Sequence, residues 1–161
     1  MQEAGSLQVS ALGDREIVMR RLFNAPRSLV FDCWTRPELL SCWYGGPDGW
    51  TLTVCEVDLR PGGAYRFVAR DTGGMEMGWG GVYQEVVPPE RLVATEAFDE
   101  HWYPGEALIT TVFEEREGKT LFTTTLLYES RDARDAVLKS PMESGFGASL
   151  DRLDALLQTI A

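Results

Sequence analysis

Asp58–Gly63 reads DLRPGG, and Val87–Val93 reads VPPERLV. In the first stretch, Pro61 fixes one φ angle and the two glycines after it accept positive φ, so the chain is predicted to reverse tightly there. In the second, Pro88 and Pro89 have no N–H to donate to a neighbouring strand, so they do not fit the centre of a sheet. The aromatic, glycine-rich segment between these two turns is therefore predicted to be sheet.

Short turns separate a series of β-rich segments on both sides of these loops. A first strand is predicted at Glu16–Phe23, which is rich in branched and aromatic residues. Further strands are predicted at about 51–58, 64–71, 75–87, 91–99, 106–117 and 119–128, with a hairpin turn at Glu117–Lys119. Because all the links are short, these strands are expected to be antiparallel neighbours in one sheet.

Helices are predicted from capping residues and from apolar spacing. Two short ones follow the first strand: Pro26 lies in the first turn of one, and Thr35 with Glu38 forms a capping box for the next. Ser130 is expected to cap a third helix, and Ser140 begins a long fourth one. The apolar positions of the fourth helix recur every three or four residues: Met142, Phe146, Leu150, Leu153, Leu157 and Ile160.

A long amphipathic helix can cover the apolar face of a strongly twisted antiparallel sheet. The predicted fold is therefore α+β, a helix-grip arrangement. A curved antiparallel sheet of about six to seven strands wraps around the long C-terminal helix, with two short helices after the first strand. The length of 161 residues corresponds to one domain. We predict a single domain at 14–161, preceded by a flexible N-terminal leader at 1–13.

The charge balance excludes several classes of partner. The formal net charge is -10 and the sequence pI is about 4.6, and such a field repels nucleic-acid phosphates and anionic membrane surfaces. No apolar run approaches the roughly 20 residues of a membrane span, and the N-terminus does not resemble a secretion signal. Three cysteines without CxxC spacing are interpreted as reduced thiols. We expect a cytoplasmic protein, monomeric or homodimeric, with no nucleic-acid partner and no membrane insertion.

A set of motifs follows in a fixed order along the chain. They are Ala25-Pro26, Trp34-Thr35-x-Pro37-Glu38, WYGGP at 43–47, DLRPGG at 58–63, GVYQEVVPPERL at 81–92 and SLDRL at 149–153. The set resembles the family named for the C-terminal domain of the activator of heat-shock-protein-ninety ATPase. That family is part of the START-type helix-grip superfamily (SRPBCC), with polyketide cyclases and pollen-allergen-like (Bet v-type) proteins. The resemblance runs from about Glu16 to Ile160, and it implies a ligand cavity between the sheet and the C-terminal helix.

The implied cavity would be apolar with a few polar groups, as small-molecule sites usually are. Its candidate ligand-binding residues are Trp34, Trp43, Trp79, Tyr83, Phe98, Trp102, Phe113, Met142 and Phe146. For any single one of them, plain core packing is favoured over ligand contact, because sequence alone fixes strand facing poorly. We expect a hydrophobic or aromatic small molecule, lipid- or polyketide-like, that enters near the loops at 43–49 and 99–105, and no cofactor.

Catalytic residues are weakly indicated. His101 is the only histidine and follows Asp99 and Glu100, so it could act as a general base, although an exposed loop side chain is the favoured interpretation. Glu96 is a second candidate base, as a buried carboxylate. One histidine and three scattered cysteines do not form a usual metal-ligand set, so no metal site is predicted. Besides a binding protein, two alternatives stay open: a cyclase- or hydratase-type enzyme using the same cavity, and a co-chaperone-like protein-interaction module.

Overall fold

The computed structural model describes residues 7–46, 48–100 and 102–160. Over those residues the chain forms a mixture of strands and helices with the predicted α+β character. The elements are β1 (Gln8–Leu12), β2 (Glu16–Phe23), α1 (Arg27–Thr35), α2 (Pro37–Trp43), β3 (Thr51–Val57), β4 (Ala64–Arg70), β5 (Glu76–Val87), β6 (Arg91–Phe98), β7 (Ala107–Arg116), β8 (Lys119–Leu127), α3 (Arg131–Lys139) and α4 (Met142–Ile160). None of the helices in these ranges is long and apolar enough to cross a membrane.

The strands form one sheet in the order β1-β2-β8-β7-β6-β5-β4-β3, and each neighbouring pair is antiparallel. This confirms the predicted single antiparallel sheet. The sheet has eight strands, which is slightly more than the predicted six to seven. The difference comes from β1, which pairs with β2 from Gln8 opposite Arg20 to Leu12 opposite Glu16. This edge strand falls in the segment predicted as a leader.

The two turns predicted from proline and glycine lie where the sequence places them. β3 ends at Val57 and β4 begins at Ala64, and between them Gly62 has a φ of 85°, which is the left-handed conformation that glycine accepts. β5 ends at Val87 and β6 begins at Arg91, so both prolines of the second turn lie outside the strands. These turns set the ends of the four strands that form one half of the sheet.

Helix α4 packs against the inward face of the sheet. Leu150, Leu153 and Leu157 are each 0% exposed, and they join a core that includes rings from the sheet and from α1 and α2. A second core cluster lies under α3 and includes Ile17, Met19, Tyr103, Leu126, Tyr128, Ala133 and Val137. Met142 and Phe146 are half-buried at the N-terminal end of α4, whereas Ile160 is 42% exposed because the helix extends beyond the core.

Replacing Gly147 by alanine is expected to raise the free energy of unfolding by about 0.5–1 kcal/mol, because glycine inside a helix costs backbone entropy relative to alanine. The added Cβ would lie 3.8 Å from Cδ2 of Leu7, which is an ordinary contact. Urea denaturation measures the change. Gly62→Ala is the matched control and should destabilise, since its φ of 85° disfavours any side chain. A less stable Gly147→Ala variant would contradict the expected room beside Leu7.

Candidate functional site

The inward face of β6 carries a carboxyl group, that of Glu96. Side chains alternate between the two faces of a strand, so Ala94, Glu96 and Phe98 share one face. Ala94 is buried in the core, and the ring of Phe98 packs 5.8 Å from that of Trp79. On β7, the residue opposite Glu96 is Ala107, which is 1% exposed and belongs to the second core cluster. Glu96 is therefore directed into the interior, between the two clusters.

The surroundings of Glu96 disfavour its charged form. Burial raises the pKa of Glu96 to about 7, well above the ordinary value for a glutamate. In the part of the chain that the structure describes, no basic side chain opposes this shift and no donor is hydrogen-bonded to the carboxyl oxygens. The carboxyl group is consequently divided between its neutral and ionised forms near neutral pH.

Four tyrosines from separate elements lie within electrostatic range of this carboxyl group. They are Tyr44 in the α2–β3 loop, Tyr65 on β4, Tyr103 in the β6–β7 loop and Tyr128 just after β8. The pKa of each is raised first by burial, and further by the negative charge of Glu96. The Tyr65 hydroxyl donates to the Thr95 carbonyl oxygen at 2.6 Å. The Tyr103 hydroxyl is buried, and no group in the described ranges is hydrogen-bonded to it.

An aromatic wall continues from the tyrosines toward α4. The ring of Trp34 lies 4.8 Å from that of Phe122, 5.0 Å from Trp43, 5.8 Å from Tyr44 and 6.1 Å from Phe146, measured between centroids. Despite these neighbours, Trp34 and Phe146 are only half-buried. Such rings present both apolar faces and an attractive surface for cations.

Comparison with known proteins places this chain in a family. A family-wide sequence model described as "Activator of Hsp90 ATPase homolog 1-like protein" matches residues 24–158, which is most of the chain. The chain belongs to this family. Its helix-grip superfamily is known for binding ligands in a cavity, although the match identifies no ligand for this member. None of the curated proteins compared with the chain matches it.

Solved structures share the fold of this Activator of Hsp90 ATPase homolog 1-like protein. A protein from Rhodobacter sphaeroides is 29% identical, with a TM-score of 0.89 over 96% of this chain and 99% of that one. One from Chromobacterium violaceum is 29% identical, with a TM-score of 0.74 over 88% of this chain and 96% of its own. The AHSA1 protein from Silicibacter pomeroyi, at 20% identity, shows the fold alone, with a TM-score of 0.73 over 91% of this chain and 99% of its own.

In this family member the nine aromatic and methionine residues predicted to bind ligand fall into distinct places. Buried in the core are Trp43, Trp79, Tyr83 and Phe113, and half-buried against it are Trp34, Phe98, Met142 and Phe146. Trp102 is 41% exposed and packs on the rings of Phe98 and Tyr103. Phe113 packs on Phe31 under α1 and lies about 20 Å along β7 from Ala107, so it is remote from Glu96.

The structure describes only one of the two sequence-based candidates for catalysis. Glu96 lies in the interior beside Trp79 and Phe98, two of the predicted ligand-binding residues, whereas His101 lies outside the described residues. Sequence reasoning missed the four tyrosines around Glu96. Their only signal is alternation on β4, where Tyr65 lies two residues from Phe67, another buried aromatic on the same face of the strand.

The α2–β3 loop, residues 44–50, borders the aromatic wall and is attached to α4. Arg152 donates from Nε to the Trp43 carbonyl at 3.1 Å, from Nη1 to Asp48 Oδ1 at 3.0 Å, and from Nη2 to the Gly46 carbonyl. The Ser149 hydroxyl accepts from the Gly46 N–H at 3.1 Å. The SLDRL motif therefore has a structural role: one turn of α4 holds the loop that carries Tyr44.

Other parts of the surface do not coincide with this site. A groove of about 680 Å³ lies between β2 and the start of α4 and is lined by Leu7, Arg21, Leu138, Ser140, Pro141, Glu143, Ser144, Gly147, Ala148 and Asp151, none of which was predicted to bind ligand. Within 7–46, 48–100 and 102–160, no three His, Cys, Asp or Glu side chains are grouped to hold a metal ion. Cys33, Cys42 and Cys55 are free thiols, and burial raises the pKa of Cys33 to about 11.

Proposed function

We propose that this protein binds a hydrophobic or aromatic small molecule in the interior between β6 and the N-terminal half of α4, over Glu96. The observation that carries the proposal is the incomplete burial of inward-facing rings. Trp34, Phe98 and Phe146 point into the core, yet each is only half-buried, while neighbouring rings such as Phe122 are 0% exposed. Protein atoms therefore leave part of these rings uncovered, and an apolar ligand would gain by covering them.

A second candidate function is supported by the pKa of Glu96. A general base is most effective when its pKa lies near the working pH, and burial brings that of Glu96 to about 7. Glu96 would then remove a proton from the bound molecule, as a cyclase- or hydratase-type reaction requires. The buried Tyr103 hydroxyl, which has no hydrogen-bond partner among the described residues, would donate to an oxygen of that molecule. The free thiols fit a cytoplasmic setting for either function.

A ligand panel tests the proposal. We expect at least one compound from a set of fatty acids, polyketides and aromatic compounds to raise the melting temperature and to remain bound in native mass spectrometry. A ligand present at 100 times its Kd stabilises the folded state by about 2.7 kcal/mol, which is several degrees for a domain of this size. The masses recovered after incubation also distinguish binding from conversion: an unchanged ligand indicates a binding protein, and a changed mass indicates an enzyme.

Two variants control for where the ligand binds. Phe98→Trp fills space beside Glu96 and should weaken binding about tenfold or more, equivalent to about 1.4 kcal/mol. Val82→Trp places the same ring on β5 at a residue that is 43% exposed, and it should leave affinity unchanged. Equal losses in both variants would contradict an interior site. A panel in which no compound shifts the melting temperature or is retained would contradict ligand binding itself.

A further inference from the structure

Glu96 is half-buried on the inward face of β6 and, unlike the two buried arginines, has no hydrogen bond or ion pair to a described residue. Arg21 is 2% exposed and bonds to Asp151 at 2.8 Å, with Asp154 nearby. Arg134 is 6% exposed and bonds to Asp135 and to two backbone carbonyls. A buried ionised group without a partner is costly, so unpaired ones are rare outside functional sites. Glu96 therefore has an unused capacity to accept hydrogen bonds and to pair with a positive charge.

The titratable groups that feel the charge of Glu96 come from several elements, and none that is described is basic. They are Tyr44, Tyr65, Tyr103 and Tyr128, whose pKa values the negative charge of Glu96 raises. The half-buried rings of Trp34 on α1 and Phe146 on α4, which pack against the same core, carry no charge. The Arg66 guanidinium is occupied by Asp99, at 2.6 and 2.5 Å.

The groups near Glu96 favour some ligand head groups over others. A carboxylate ligand would meet the charge of Glu96 and a protein of net charge -10, and both buried arginines that the structure describes, Arg21 and Arg134, already have partners elsewhere. A neutral hydroxyl could donate one hydrogen bond but would leave the charge of Glu96 uncompensated. An ammonium group supplies both the charge and the donors, and aromatic faces attract it as well.

We propose that the ligand of this site is a cationic amphiphile, an apolar or aromatic molecule bearing a protonated amine, with the ammonium held by Glu96 and by the surrounding tyrosine rings. The buried, unpartnered hydroxyl of Tyr103 provides an additional polar contact for the head group. This inference rests on the proposed ligand-binding function and deepens it by naming the chemical class of the ligand.

Binding of such an amine is coupled to the ionisation of Glu96. Because the pKa of Glu96 is about 7, its carboxyl group is mostly protonated at pH 6 and mostly ionised at pH 8. An ammonium needs the ionised form, so the affinity should rise about tenfold from pH 6 to pH 8, with a proton released on binding at the lower pH. An amine with an ordinary pKa stays protonated over this range, so the change reports the protein.

The experiment compares three head groups on two apolar scaffolds, by isothermal titration calorimetry with the full chain. The probes are naphthylmethylamine, naphthylmethanol and naphthoic acid, and decylamine, decanol and decanoic acid. At pH 8 we expect at least one amine to bind about tenfold or more tightly than its alcohol, and the acid to bind most weakly. Glu96→Gln should remove both this preference and the pH dependence. Glu115→Gln, an exposed carboxylate on β7, is the matched control and should retain them.

The outcomes separate this inference from the proposed function. Alcohols that bind as tightly as their amines, or a preference for amines that survives in Glu96→Gln, would overturn the inference while leaving interior ligand binding intact. Binding of none of the six compounds would also overturn it, and the broader panel then decides the proposed function. The pH series is repeated in His101→Ala, because a rise in affinity that disappears there would assign the titration to the only histidine and overturn the role of Glu96.

Discussion

Glu96→Gln is expected to raise the free energy of unfolding by about 2 kcal/mol at pH 8 and to leave it nearly unchanged at pH 4. The pKa of Glu96 is about 7 in the folded protein because of burial, and it returns to an ordinary glutamate value on unfolding. The folded state therefore binds the proton more tightly, and the wild-type protein loses stability as the pH rises from about 4.5 to about 7. Glutamine has no charge to bury and avoids this loss. A full shift would be worth about 3 kcal/mol, and partial exposure of the side chain reduces it.

Urea denaturation of wild type and variant at pH 4, 6, 7 and 8, without ligand, measures the effect. The difference between the two proteins should grow up to about pH 7 and then level off. Glu115→Gln on the exposed part of β7 should show no such trend, which controls for the overall change in net charge. A Glu96→Gln variant that is less stable than wild type at pH 8 would mean that the carboxylate is well satisfied in the folded state.

Much of the fold could be predicted because local chemistry determines it. A proline followed by glycine, as at Pro61 and Gly62, favours a turn in most sequence contexts. Pro88 and Pro89 cannot donate the hydrogen bonds of a central strand, so they are expected outside one. The three- and four-residue spacing of Leu150, Leu153 and Leu157 places them on one face of a helix, and this can be predicted from helix geometry alone. All three are fully buried. Such features depend on a few neighbouring residues, so no knowledge of the rest of the chain is needed.

The helix ends show where local reasoning fails. Thr35 was predicted to cap α2, but its hydroxyl donates to the Phe31 carbonyl inside α1, and Arg36 occupies the cap position without a side-chain hydrogen bond. Ser130, by contrast, does cap α3, since its side chain accepts from the Ala133 N–H. A threonine at the junction of two helices can satisfy either one, and tertiary packing decides which.

The candidate site was harder to predict because its members meet only through the register of the sheet. Tyr44, Tyr65, Tyr103 and Tyr128 come from two loops and two strand regions, and their sequence positions do not imply proximity. A register shift between β5 and β6 at Tyr83 and Glu85 also changes which residues face inward. Glu96 was accessible to sequence reasoning, since it alternates with Ala94 and Phe98 along one strand and is the only charged residue of the three.

The resemblance to a family identified Ser149 and Arg152 as part of a motif, without giving them a role. In the structure their side chains face the α2–β3 loop, and they contact the backbone of Trp43 at the end of α2 and of Gly46 in the loop. That loop carries three glycines with positive φ, including Gly45 and Gly46, between the two aromatic residues at its ends, Tyr44 and Trp50, which pack against the core. A loop with this backbone depends on hydrogen bonds for its position, so a distant helix supplies them.

Arg152→Ala is therefore expected to lower the free energy of unfolding by about 2–4 kcal/mol, since hydrogen bonds from a charged group contribute about 1.5–3 kcal/mol each and are not additive. The variant would leave the carbonyls of Trp43 and Gly46 without this donor. Arg152→Lys keeps the charge but lacks the planar fork, so it should lie between wild type and alanine. Urea denaturation compares the three proteins at one pH.

Arg60→Ala is the matched control, because Arg60 is 72% exposed and its ion pair with Asp58 spans only two residues. Its removal should cost about 0.5 kcal/mol or less. If Arg152→Ala cost no more than this, the loop would be held by its own backbone geometry. If it cost the expected amount, and the affinity for interior ligands fell as well, the position of Tyr44 beside Glu96 would depend on α4. The family motif on the helix would then act on the site through the loop, as a positioning element that never contacts the ligand.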